Sequence, residues 1–151
     1  MGNPYIQKEV SKIIDADIYP KNMALAAAWI MAHFKGVNLK IYDCQESTSL
    51  CDYNIIGSAE NTIQAKTMVD EIQENLKRAG ARLVSLEGVT QGEWILLDMG
   101  DVIIHVFQEQ ARDYFDLDSL WTEQNQIEIP QEYYFGKSEE IKEVDPTENY
   151  F

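Results

Sequence analysis

The sequence predicts an α/β (α+β) fold, one domain in which a sheet of about five strands packs with helices. Three observations predict it. Apolar stripes with helical spacing alternate along the chain with short apolar runs of strand length. Pro, Gly and Asn stand mostly at the ends of those segments. At 151 residues the chain can enclose one real core and fits one domain with a tail.

Asn3-Pro4 reads as an N-cap followed by proline in the first turn of a helix. Ile6, Val10, Ile13 and Ile14 then fall on one stripe that ends before Pro20. A second helix is predicted over 22–36. Leu25, Ala28, Trp29 and Ala32 make it apolar almost all round, which implies burial on more than one side. Residues 39–45 and 52–58 read as short strands with a polar turn between them. Asn61 followed by Gln64 resembles a capping box, and Ile63, Met68, Val69, Ile72 and Leu76 form the stripe of the helix it opens. Lys77 and Arg78 occupy the last turn of that helix, and Gly80 stops it. Residues 82–87 form a third strand, followed by a loop containing Gly88 and Gly92.

The most informative stretch is 94–107, where two apolar runs flank Asp98-Met99-Gly100-Asp101. It reads as a hairpin with Met99-Gly100 at its tip, pairing Asp98 with Asp101, Leu97 with Val102 and Trp94 with His105. Alternation then separates the side chains. One face holds Ile95, Leu97, Val102, Ile104 and Val106 and is wholly apolar; the other holds Trp94, Leu96, Asp98, Asp101, Ile103, His105 and Phe107. The first face is core. The second mixes an aromatic anchor with acids, as a recognition surface does. Two readings stand at this point, that surface or a tryptophan packed under a helix beside solvated turn acids. A last helix is predicted over 109–121, and residues 122–151 are expected to be an acidic tail, extended and partly disordered. The implied organisation is a helical extension over 1–21, a domain over 22–121 and the tail over 122–151.

Charge narrows the function. The chain carries 26 acidic and 12 basic side chains, a net −14. Residues 1–81 are nearly balanced at −2, whereas 82–121 and 122–151 each carry 8 acids against 2 bases, −6 apiece. Such a field repels phosphate backbones and anionic membranes and favours a basic protein as partner, so no direct nucleic-acid readout is expected. The longest apolar run, 23–34, is roughly 12 residues where about 20 are needed to cross a bilayer. No secretory pattern is visible, and Cys44 and Cys51 read as reduced thiols, so a cytoplasmic location is expected.

Catalytic signals are weak. Neither cysteine has a histidine near it in sequence, and His33 and His105 are too few for a histidine-rich metal site; no cofactor is expected. His33 reads as a packed or edge residue, and His105 as either a structural hydrogen-bonder or a partner contact. Gly57-Ser58, between a strand and a helix, resembles the Gly-Ser of nucleotidyltransferases. That chemistry also needs two carboxylates on one strand face to hold magnesium, and no such pair follows Gly57-Ser58 on a strand.

Asp43, Asp52-Tyr53, Glu87-Gly88, Trp94, Asp98-Met99-Gly100-Asp101-Val102, His105-Val106-Phe107, Arg112-x-Tyr114 and Leu117-x-x-Leu120-Trp121 occur in order, and over residues 22–121 they resemble the ribosomal silencing factor (Iojap-like) family. The resemblance implies a mixed sheet related to nucleotidyltransferases without their catalytic acids. It implies a non-enzymatic protein that binds ribosomal protein L-fourteen on the intersubunit face of the large ribosomal subunit. Bound there, it would block joining of the small subunit and repress translation when nutrients are scarce. A homodimer is implied for the free protein. By position, Trp94 matches a tryptophan of the ribosome contact, and Glu87, Asp98 and Asp101 match acids facing the basic protein. With Met99, Gly100 and His105 these make the expected partner-binding set. Ser58-Ala59-Glu60-Asn61 departs from the family's Thr-Gly-x-Ser, which changes the loop before the central helix. The competing reading is a residual nucleotide-binding or nucleotidyltransferase-like enzyme.

Overall fold

The computed structural model describes residues 3–47, 50–121 and 125–135. Helix α1 (Pro4–Ala16) starts where Asn3 caps it, the Asn3 carboxamide oxygen accepting from the Tyr5 and Ile6 amides at 2.9 and 3.3 Å. Helix α2 (Lys21–His33) is buried on nearly every side, as its unbroken apolar composition requires. It touches α1, helix α3 (Thr62–Arg78) and the sheet at once. The α3 cap is Asn61, whose side chain accepts from the Gln64 amide at 2.8 Å. Gln64 reaches back in turn, its oxygen accepting from the Glu60 amide at 2.7 Å and its nitrogen donating to the Phe34 carbonyl at 2.8 Å. Gln64 therefore also ties the end of α2 to the start of α3.

The sheet has six strands: β1 (Val37–Asp43), β2 (Tyr53–Ala59), β3 (Ser85–Glu87), β4 (Trp94–Asp98), β5 (Val102–Gln108) and β6 (Asn125–Ile127). Their order is β3-β4-β5-β2-β1-β6. Among the described residues only the central β2–β5 pair is parallel, with α3 in the connection between them; the other pairs are antiparallel. The sheet is thus mixed, with one strand more than the sequence predicts. One face carries Ile41, Ile55, Ile95, Leu97, Ile104 and Val106, all fully buried with α1, α2 and α3. Removing that apolar surface from water is the main stabilising term of the fold. The opposite face carries Tyr42, Ile56 and Phe107 and is only partly covered, by helix α4 (Glu109–Phe115) and a 3-10 turn, Leu117–Trp121.

Several elements differ from expectation. The hairpin pairs Asp98 with Ile103, Leu97 with Ile104, Leu96 with His105 and Trp94 with Phe107, two residues from the predicted register. The tip is longer because Met99 is drawn into the core at 2 % exposure. In addition, the carbonyl of Asp101 accepts the amides of Asp52 and Tyr53, which anchors the turn to β2. The slip is even, so the β4 and β5 side chains keep their predicted faces; Asp101, predicted on the mixed face, falls in the turn instead. The predicted 109–121 helix breaks at Asp116, a left-handed residue at φ 51°, after which the chain tightens into the 3-10 turn. The predicted 82–87 strand is reduced to Ser85–Glu87. Residues 125–135, expected to lie in the acidic tail, instead add β6 against β1 and a short helix, α5 (Glu132–Phe135), that packs on α2. The rest of that tail, 122–124 and 136–151, lies outside the described residues. At the other end, the 1–21 extension is a working part of the core, with Ile6 and Val10 buried in it.

The Gly57-Ser58 pair has a packing explanation. A Cβ at Gly57 would stand 2.5 Å from the sulfur of Met31 and 2.6 Å from Leu39, so glycine is what lets α2 sit down on β2. Ser58 is buried on the other face, its hydroxyl accepting from Arg112 Nη1 at 3.0 Å. Gly57→Ala is expected to lower unfolding free energy by about 1–3 kcal/mol through overpacking, measured by urea denaturation.

Candidate functional site

Because β4 and β5 alternate, Trp94, Leu96, Asp98, Ile103, His105 and Phe107 share the sheet face away from α2 and α3. Pairing of Ser85 with Asp98 and of Glu87 with Leu96 puts those β3 side chains on the same face. The indole of Trp94 is partly buried. It stacks on Phe107 at 4.9 Å between centroids and leans on Phe115 at 5.1 Å. Trp121 closes the far side, 5.4 Å from His105 and 5.2 Å from Tyr42. The loop before β4 is held close by Gly88 at φ 83°, where a Cβ would fall 2.0 Å from the Trp94 carbonyl oxygen.

A chain of hydrogen bonds runs inward from the indole. Trp94 Nε1–H donates to His105 Nδ1 at 3.1 Å. With Nδ1 accepting, the imidazole proton sits on Nε2, which faces Asn54 Oδ1 at 3.3 Å. That fixes the carboxamide, whose Nδ2 donates to both Cys44 Sγ and Cys51 Sγ at 3.4 Å. His105 is only 5 % exposed, and burial pushes its pKa down to about 4 against a weaker upward pull from Asp118. The ring is therefore neutral at physiological pH. Beside this chain lies a cavity of about 360 Å³, walled by Leu50, Leu96, Ile103 and Trp121, with Cys44 and Cys51 among its lining.

Arg112 holds the cover of this face in place. It is 4 % exposed, and its guanidinium makes two hydrogen bonds to Asp118, at 2.9 and 3.1 Å, and others to Ser58 and the Asn38 carbonyl. Asp118 also accepts from Tyr42, and the Arg112 contacts outweigh burial to hold its carboxyl below the usual range. The clamp thereby fixes the turn that carries Trp121.

The structure brings together some of the residues singled out in the sequence and separates others. Glu87, Trp94 and Asp98 share the open face, with Glu87 exposed and Asp98 partly so. Asp98 spends one oxygen on the Gly100 amide at 2.9 Å, shaping the turn in which Gly100 lies. Asp101 is exposed but points elsewhere: it accepts from the Tyr19 hydroxyl at 2.7 Å, in the link between α1 and α2 on the core side. Met99 is core, and His105 is buried at the wall of the cavity, where it positions the indole. Asn54, Phe115 and Arg112 were not foreseen as parts of the site. An asparagine inside the otherwise apolar 53–56 run was the one available signal, since a buried amide there must be satisfied.

The family described as ribosomal silencing factor during starvation matches residues 18–149. The chain belongs to the ribosomal silencing factor family. A ribosomal silencing factor of Chromobacterium violaceum is 38% identical over 87 residues, 58% of this chain and 71% of that protein. A crystal structure of a protein from the same organism superposes with a TM-score of 0.66 at 33% identity, covering 69% of this chain and 87% of that one. A mouse protein named for mitochondrial assembly of the ribosomal large subunit is 27% identical, covering 64% of this chain and 48% of its own length. Membership places the chain in ribosome assembly or translation.

The His105 contacts make stability depend on pH. The folded value of about 4 lies below the ordinary 6.5, so the neutral ring's contribution is complete above pH 6.5 and is lost as pH falls toward 4. Across that window the loss should be roughly 3 kcal/mol at most. Subtracting the pH profile of a His105→Gln variant, measured by denaturant unfolding, should isolate it; parallel profiles would refute it.

Proposed function

We propose that this silencing factor binds the large ribosomal subunit through the basic ribosomal protein L-fourteen on the intersubunit face and bars the small subunit from joining. It acts by occlusion, without turnover, in the cytoplasm, and so represses translation. The observation that carries this reading is the Trp94 indole, held rigid by Phe107, Phe115 and His105 with Asp98 and Glu87 on the same sheet face. A preorganised aromatic anchor rimmed by acids suits a lysine- and arginine-rich protein surface. The net −6 of residues 82–121 supports that pairing and disfavours bare RNA. The name of the mouse relative supports the large subunit as the target. Tyr114 and Phe115, exposed and in ring contact with each other, extend the apolar patch beyond Trp94. In the free protein we assign that patch to a second copy of the chain, giving a homodimer.

Sedimentation with separated large and small subunits, followed by a subunit-joining assay, tests the reading. Binding should be confined to large subunits. Trp94→Ala should weaken it by more than ~1 kcal/mol; unchanged co-sedimentation of a variant shown to be folded would sink the proposal. Asp98→Lys and Glu87→Lys should slow association and flatten its salt dependence. Asp101→Lys should do so less, because its carboxylate is engaged by Tyr19.

A further inference from the structure

Cys44 and Cys51 sit at the two ends of the β1–β2 connection, and both are buried against the cavity on the Trp94 face. Their sulfurs converge on one atom, each 3.4 Å from Asn54 Nδ2, so they lie no farther apart than twice that distance. Both are free thiols. The segment between them lies outside regular secondary structure where it is described, and Leu50 within it is 82 % exposed. From this juxtaposition we propose that Cys44 and Cys51 are a reversible dithiol–disulfide pair whose oxidation state sets how firmly the Trp94 indole is held.

The chemistry balances with a hydroperoxide as oxidant. The Cys44 thiolate attacks the peroxide oxygen, releasing an alcohol or water and leaving a sulfenic acid; the Cys51 sulfur then attacks the Cys44 sulfur, and the second oxygen leaves as water. With a small-molecule disulfide instead, each step is thiol exchange, and two equivalents of free thiol depart. Burial, reinforced by the neighbouring Cys44, pushes the Cys51 thiol up to about 11. Both attacks need a thiolate, so this slows whichever step has Cys51 as the nucleophile. The cavity beside the sulfurs gives a small reagent its approach.

The consequence for the docking face follows from the hydrogen-bond chain. Asn54 Nδ2 donates to both sulfurs, and drawing them together into a bond of about 2 Å moves and weakens both of its acceptors. Because Asn54 Oδ1 is the partner of His105 Nε2, the disturbance passes to the imidazole and from its Nδ1 to the indole. A half-satisfied buried chain of this kind is less rigid than a complete one.

The test uses the full chain, treated with hydrogen peroxide or oxidised glutathione, denatured in an alkylating agent and analysed by mass spectrometry. The expected product has lost the mass of two hydrogen atoms within peptide 41–66, which carries both cysteines, and takes up no alkyl group until dithiothreitol is added. Cys44→Ser and Cys51→Ser should each abolish it. Two alkylated thiols after treatment, or a sulfinic acid or glutathione adduct on one cysteine without the two-hydrogen loss, overturn the pair. The coupling is read separately from the indole N–H resonance of Trp94, assigned with a Trp94→Phe variant. It should shift on oxidation and return on reduction; a disulfide that leaves it in place overturns the coupling. Neither readout involves the ribosome, so failure here and failure of the docking proposal are distinguishable.

Discussion

An indole N–H enclosed by aromatic rings needs an acceptor, and here the acceptor is a histidine nitrogen that is itself buried. That one bond decides the tautomer of His105, the orientation of Asn54 and the direction in which the Asn54 amide points at the two sulfurs. Each group has one way to satisfy the next, so the chain allows few alternative arrangements. The open face of the sheet inherits its rigidity from this chain, and a rigid anchor loses little conformational freedom when a partner covers it.

The chain of bonds depends in turn on how the sheet is covered. Helices α1, α2 and α3 bury one face completely, and Gly57 lets α2 approach close enough to do so. The other face is left to a short helix and a 3-10 turn, held by the buried Arg112–Asp118 contacts. An asymmetric sheet of this kind is stabilised mainly from one side and leaves the other less covered. The acids follow the same division: Asp98 and Glu87 rim the open side, while Asp101 is tied back to Tyr19.

Much of this was readable in advance. The α1, α2 and α3 stripes, the Asn3 and Asn61 caps and the two faces of the hairpin all follow from local rules of spacing and alternation. The hairpin register did not follow, because a Met-Gly tip and a longer turn are locally comparable, and burial of Met99 with the Asp101 carbonyl contacts chose between them. Strand β6 was missed for a related reason. Asn125-Gln126-Ile127 has a single apolar residue and no period, and it becomes a strand only because β1 offers an unpaired edge.

The sequence by itself determined the fold class, the apolar and mixed sides of the β4–β5 pair, the excess of acid in its second half and the ordered residues that mark the family. Those properties depend on composition and on periods of two and 3.6 residues, which are local. Tertiary structure alone decided that His105 is an internal acceptor, that Asp101 faces the core side and that Asn54 gathers two cysteines distant from His105 in sequence. The Asp101–Tyr19 and His105–Asn54 contacts join segments 82 and 51 residues apart, and no local period encodes which distant group a side chain will meet.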